Sequence, residues 1–252
     1  MKKIYMAMSA AFLAFGAQSA MAACSDISRA DLQDAAASAY ASYNGSSGDA
    51  EGGYHGLGLP MWVTVVDETG KVCHVVNTGG EGVGTSNDSW LGSRVISAQK
   101  ANTANAFSTD GVSISTAALY GVVQPGGSLY GLQHSNPVDA SRAYGGSPNS
   151  NGSNSDYLKN KRIGGVNVFG GGLALYKDGV KVGAVGVSGD TSCADHAFAW
   201  LVRANLGLDE SEAVGSSFDV LTLSDDPAQS FEHARCGVGE SSLDAGTEDA
   251  DL

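Results

Sequence analysis

The 252-residue sequence predicts an α/β domain of the α+β kind, a single antiparallel sheet built from two hairpins with helices packed on it. Three observations carry this. Residues 61–66 and 71–76 are β-branched runs around Asp67-Glu68-Thr69-Gly70, and residues 164–176 and 180–187 flank Lys177-Asp178-Gly179. Both are hairpin patterns, the second marked by its Asp-Gly pair. Alanine-rich stretches with helical spacing precede, separate and follow them. The resulting order, helix, hairpin, two helices, loop, hairpin, helix, is one in which a single sheet hides its apolar surface under helices.

The first helix is expected over residues 32–43. Ser28 and Asp31 have the form of a capping box, with an acid shorter than Glu, and Asn44-Gly45 is a stop. Residues 45–58 are rich in Gly and Ser and read as a loop. The near-continuous apolar run 61–66 marks a central strand. After a loop over 77–88, Leu91, Val95, Ala98, Ala101 and Asn105 fall near helical spacing, with Ser89 placed to cap the start. A shorter helix is expected over 115–122. Gly, Ser, Asn and Pro then dominate residues 124–162. Within them, 125–137 alternates apolar anchors with polar tips, while a flexible insertion is expected near 145–160. Gly170, Gly171 and Gly172 inside the second hairpin signal a bulge or a backbone approached closely by another group. The last helix is expected over 192–206, stopped by Gly207.

Residues 1–22 read as an export signal. Lys2 and Lys3 supply the positive start, residues 4–15 the apolar stretch, and Ala20-Met21-Ala22 the cleavage site. The mature chain is expected in the periplasm, starting near Ala23, with a lipid anchor on Cys24 as the alternative. No later segment approaches the ~20 apolar residues that span a bilayer. Loss of Lys2 and Lys3 takes the formal charge from −13 to −15. That acidity argues against nucleic acid and against anionic membrane as partners. Residues 209–252 form an acidic tail, expected to be solvated, behind a domain at 23–208. The four cysteines, Cys24, Cys73, Cys193 and Cys236, allow three disulfide connectivities. The preferred one is Cys24–Cys236 with Cys73–Cys193, tying the two ends together and linking two parts of the core.

The most informative stretch is residues 183–196. An apolar strand stops at Ser188-Gly189 and a helix starts at Thr191-Ser192, which places backbone N–H groups beside side-chain oxygens and His196. Alone, this is either a capped helix or a place to hold an anion or the polar edge of a cofactor. Other features enlarge the pattern: the hairpin at 63–72, the helix carrying Ala98, Gln99, Lys100, Ala101 and Phe107, the Gly164-Gly165-Val166 run, the Asp178-Gly179 hairpin, and 182–189 leading to Asp195. Together they resemble the GlcG/HbpS-like haem-binding family, also called the haem-degrading domain family, over residues 28–208.

The resemblance implies a profilin-like fold, homo-oligomers, and binding of haem or, in some relatives, a corrinoid. This chain departs from short cytosolic relatives in its signal, cysteines, insertion and tail. It also has Asp195-His196 where many relatives have Asp-Glu.

Haem requires an apolar slot, one or two axial ligands and partners for its propionates. Five histidines are available: His55, His74, His134, His196 and His233. His74 is expected to pack beside the core, His233 to be exposed in the tail, and His55 to sit in a loop without distinguishing context. His134, among Tyr130, Leu132 and Pro137, and His196, one turn into the last helix, are the candidate iron ligands. Arg94 and Lys100 are the candidate propionate partners.

No catalytic residues are assigned. Gly186-Val187-Ser188-Gly189 misses the G-x-S-x-G spacing, and the three glycines at 170–172 lack the Lys-Ser/Thr of a phosphate loop. The expected function is therefore a periplasmic haem-binding protein that stores, buffers or passes on haem, with any haem breakdown being slow chemistry of the bound iron. Two alternatives are an accessory protein or enzyme for a corrinoid or small organic acid, and an oligomeric module without a ligand.

Overall fold

A computed structural model describes residues 23–45, 56–82 and 88–237. The expected export signal and His55 lie outside the described residues. Strand β1 (Trp62–Asp67) forms the centre of a four-stranded antiparallel sheet. It pairs with β2 (Val72–Asn77) on one side and with β4 (Val180–Ser188) on the other, with β3 (Gly172–Lys177) beyond, giving the order β2-β1-β4-β3. In this register Val63 faces Val76 and Val187, while Val65 faces His74 and Val185.

Both faces of the sheet are covered, which explains why β1 is apolar at nearly every position. Helices α1 (Ala23–Asp26), α2 (Arg29–Gly45) and α7 (Ser192–Asn205) lie on one face. Their Leu32, Ala36, Ala39 and Phe198 pack with Val63, Val65, Leu173, Leu175, Val185 and Val187. Helix α3 (Ser93–Phe107) lies on the other face, where Val95, Ala98, Ala101 and Ala104 meet Trp62, Val66, Val75 and Ala184. Because side chains alternate along a strand, odd and even positions of β1 feed two different cores. Of its two polar residues, Thr64 is satisfied by Ser97 Oγ at 2.7 Å, and Asp67 accepts from Thr69 N and Lys71 N, both at 3.0 Å.

Small residues set how closely α3 approaches. A Cβ on Gly186 would lie 1.9 Å from the Ser97 carbonyl oxygen, so only glycine lets the helix backbone touch β4. The second hairpin turns through Asp178 (φ 51°) and Gly179 (φ 79°), the paired positive angles of a type I′ turn.

Several boundaries differ from the sequence expectation. Helix α3 begins at Ser93 with Gly92 at its N-cap, and Ser89 instead accepts a hydrogen bond from Asn77 Nδ2 at 3.3 Å. The expected 115–122 helix shrinks to α4 (Leu119–Val122). Residues 164–171 are irregular, with positive φ at Gly164, Gly165 and Gly171, so the strand starts only at Gly172. Two further short helices, α5 (Leu132–Ser135) and α6 (Ala140–Ala143), interrupt the long loop. The stretch expected to be a flexible insertion is anchored by Asp156. Its carboxylate accepts from Gly152 N (2.7 Å), Leu158 N (2.8 Å) and Arg94 Nε (2.9 Å), and Asn151, Asp156 and Leu158 are buried.

The disulfides overturn the preferred pairing: they are Cys24–Cys73 and Cys193–Cys236. Helix α1 lies over β1 and β2, within reach of Cys73, whereas the C-terminal segment crosses the start of α7. Each end is thus tied separately to the core rather than to the other end. Two disulfides fit an oxidising, exported setting.

The segment after α7 is not a solvated tail as far as residue 237. Ala213, Asp219, Val220, Leu221 and His233 are buried. Asp219 forms a buried ion pair with Arg203 at 2.8 Å. Strands β5 (Leu223–Ser224) and β6 (His233–Ala234) pair in parallel.

Neighbouring segments also cover parts of both edges of the main sheet. On β3, Tyr176 N donates to Leu208 O (2.8 Å), and Gly172 N and O bond Thr116 Oγ1 and Thr116 N (2.8 and 3.1 Å). On β2, Val72 exchanges bonds with Lys161 O and Asn160 N (2.9 and 2.8 Å). No helix among the described residues is long and apolar enough to cross a membrane.

Candidate functional site

The turn between β4 and α7 is built around Asp195. Its Oδ1 accepts from the backbone N–H groups of Gly189 and Asp190, both at 2.9 Å, and its Oδ2 pairs with Lys100 Nζ at 2.7 Å. Lys100 reaches across from α3 and also donates to Val187 O at 3.0 Å. Thr191 caps the helix by accepting from Ala194 N at 3.3 Å, and Asp190 accepts from Leu57 N and Leu59 N. The N–H groups that could hold an external anion are therefore engaged by the chain's own side chains. This stretch is a capped helix start.

Lys100 and Asp195 are only 2–3% exposed, so water solvates neither. Burial pushes the Asp195 carboxyl up to about 6 despite the ammonium beside it, and the same burial pulls Lys100 down. His196 follows Asp195 on α7 and is completely buried, which drives its pKa down to about 3 and keeps its ring neutral.

Residues 170–172 roof this group, and here the three glycines find their reason. A Cβ on Gly170 would lie 2.3 Å from Ser192 O and 3.0 Å from His196 Cβ. One on Gly171 (φ +112°) would lie 2.5 Å from Val187 O and 3.0 Å from Asp195 Cβ.

Outside the roof lies a cleft with aromatic walls. One cavity of about 240 Å³ is lined by Trp90, Ile96, Lys100, Phe169, Ser188, Ser192 and Asp195, among others. A second, of about 300 Å³, shares Phe169 and Ser192 with it and adds Tyr120, His233, Arg235 and Cys236. Trp90 and Phe169, both lining the first cavity, are about half exposed. Tyr120 packs against both Phe169 and His233, with ring centroids 6.0 and 4.6 Å apart.

The four sequence candidates do not converge on this cleft. Lys100 lines it, but its ammonium is committed to Asp195. His196 lies beneath the glycine roof. Arg94 forms a buried bidentate pair with Asp156 and borders a different, largely apolar cavity of about 300 Å³ with Leu91, Val95, Tyr144 and Pro148. His134 is exposed on α5, whose Leu132 packs toward Val168, the neighbour of Phe169. Of the residues set aside at the sequence level, His74 is half-buried on β2 and bonds Ile27 O through Nε2 at 3.1 Å.

His233 is the residue that sequence reasoning missed. It was expected to be exposed, yet only 3% of it is accessible, and burial lowers its pKa to about 4. The only hint was Cys236, whose pairing requirement brings this stretch back onto the domain.

A family model described as haem degrading protein HbpS-like matches residues 49–202. The chain belongs to the HbpS-like family. Among solved structures, this HbpS-like chain is similar to the Klebsiella pneumoniae protein ORFY of family DUF336, at 23% identity over 72% of this chain and 90% of that one, with a TM-score of 0.45. It is also similar to a PduOC:heme complex, at 25% identity over 74% of this chain and 99% of that one, with a TM-score of 0.47. No curated protein matches it. The family match contains Lys100, Phe169, Asp195 and His196, and ends before the returning segment with His233 and Cys236.

Tested against what haem requires, the cleft fits in its aromatic walls and in one lining imidazole, that of His233. It does not fit with Arg94 and Lys100 as free propionate partners, because each already neutralises a buried carboxylate.

Proposed function

We propose that this protein binds haem in the periplasm and stores, buffers or passes it on, with the porphyrin resting against the exposed rings of Phe169 and Trp90. The observation that carries the reading is the aromatic cleft over the Lys100–Asp195 pair, inside the part of the chain that matches a haem-degrading family. A planar apolar ligand there removes two large exposed rings from water, a gain of roughly 25 cal/mol per Å².

His134 is the candidate ligand whose ring is open to solvent, although it does not line either cavity of the cleft. His196 serves only if residues 170–172 lift. The bound iron would supply the redox chemistry, and the chain's residues would bind the macrocycle, orient it and shield one face from water. The Lys100–Asp195 pair acts here as scaffold, holding the turn that carries Ser188 and Asp190 into the cleft.

The test is a titration of the purified mature chain with hemin, followed at the Soret band. A saturable shift with one haem per chain is expected, weakened by Phe169→Ala. Loss of the shift in His134→Ala or His196→Ala assigns the axial ligand, with His233→Ala as the third member of the panel. No saturable shift in the wild-type chain refutes haem binding.

A further inference from the structure

We propose that reduction of the Cys193–Cys236 disulfide opens a Cys₂His site, completed by His233, for a thiophilic cation of the zinc class. A ring nitrogen of His233 and the two sulfurs already lie within 4.8 Å of one another, on segments held by α7 and by β6. Zn–S bonds of about 2.3 Å and Zn–N bonds of about 2.0 Å put the donors of a tetrahedral centre roughly 3.3–3.8 Å apart. Side-chain rotation after the S–S bond opens covers that difference.

The histidine is preset for the task. Its Nδ1 lies 2.6 Å from Ala234 O, an atom that only accepts, so Nδ1 carries the proton and Nε2 the lone pair. Nε2 is buried and has no hydrogen-bond partner among the described residues. A metal-binding imidazole is commonly held in this way, its other N–H on a backbone carbonyl. Cys236 Sγ also accepts from Cys193 N at 3.1 Å and lies 3.4 Å from Ser192 Oγ, contacts that suit a thiolate. The cavity of about 300 Å³ bounded by Ser192, His233 and Cys236 leaves room for a water as fourth ligand.

The chemistry is conditional. While the disulfide is closed its sulfurs are poor donors, and the site is shut. A dithiol reductant transfers two electrons and two protons, cleaving the S–S bond to two thiols and itself closing to a disulfide. The cation then binds both sulfurs and Nε2, releasing the two thiol protons. His233 and Cys236 lie beyond the family match, while Cys193 lies within it and the cavity beside the site borders the haem cleft, so the metal test is made on the haem-free chain.

The experiment uses the full mature chain, haem-free and reduced with a phosphine that does not chelate, with folding followed by circular dichroism. Co²⁺ is the probe. One equivalent per chain is expected, with thiolate-to-cobalt charge-transfer absorption that is abolished when Zn²⁺ displaces it. Cys24→Ser/Cys73→Ser keeps the signal, Cys193→Ser/Cys236→Ser removes it, and His233→Ala weakens binding at least tenfold. Any of four results overturns the proposal: no charge-transfer band, equal binding in His233→Ala, binding retained without Cys193 and Cys236, or a reduced chain that unfolds before it binds.

Discussion

The buried histidine on α7 makes this fold sensitive to acid, and the size of the effect follows from its pKa. Folded His196 titrates near 3 because burial disfavours its cation, while in the unfolded chain it titrates at its ordinary 6.5. Between those values the unfolded state binds more protons, so stability rises with pH through the window and is lost as pH falls from 6.5 toward 3. At pH 5 the unfolded imidazole is almost fully protonated and the folded one is not. Going from pH 7 to pH 5 should therefore remove about 2 kcal/mol through this residue, roughly thirtyfold in the unfolding equilibrium. Asp195 acts in the opposite sense. Its folded pKa is raised from 3.8 to about 6, so the folded state holds the extra proton and gains stability as pH falls through 6. Because both groups titrate in the wild type, the informative quantity is a difference. Urea unfolding of wild type and His196→Leu at pH 7 and pH 5 should give pH dependences that differ by about 2 kcal/mol, the variant being the less acid-sensitive. Equal dependences in the two proteins would refute the assignment of a neutral buried imidazole at this position.

Two further outcomes are expected. Asp219→Ala should destabilise by about 3–5 kcal/mol, seen as a lower denaturation midpoint, because it strands the guanidinium of Arg203, itself 1% exposed. Gly186→Ala should cost about 1–3 kcal/mol or more in thermal unfolding, since its methyl would meet the Ser97 carbonyl of α3, whereas Gly215→Ala meets nothing within 4 Å and should show only the smaller strain of its positive φ.

Most of the architecture was legible because it rests on local rules. The first hairpin, the Asp178-Gly179 turn, the Thr191 cap and the Gly207 stop each act within a few residues and appear where the sequence placed them, whereas the run expected from residue 164 becomes strand only at Gly172. The glycine triplet was read as a bulge or a point of close approach, and three neighbours approach it: the Ser192 carbonyl of α7 at Gly170, the Val187 carbonyl of β4 at Gly171, and Thr116 with the Lys100 carbonyl at Gly172. What escaped notice was long-range. Lys100 and Arg94 are polar residues on an alanine-rich helix, and nothing nearby reveals that Asp195 and Asp156 are waiting for them 95 and 62 residues away. The disulfides were misassigned for the same reason, since pairing depends on where each end crosses the sheet. His233 sits among acidic residues that look like solvent-loving chain, and only the fold brings it inside.

The capped margins of the sheet bear on how copies of this chain could meet. An open strand edge offers a row of unpaired N–H and C=O groups to any neighbouring strand. Here Leu208 and Thr116 occupy that row on β3, and Asn160 and Lys161 occupy its Val72 end on β2. Joining sheets end to end into a continuous ribbon would require peeling these segments away. Any self-association is thereby steered away from strand pairing and toward side-chain contacts between helical or loop surfaces.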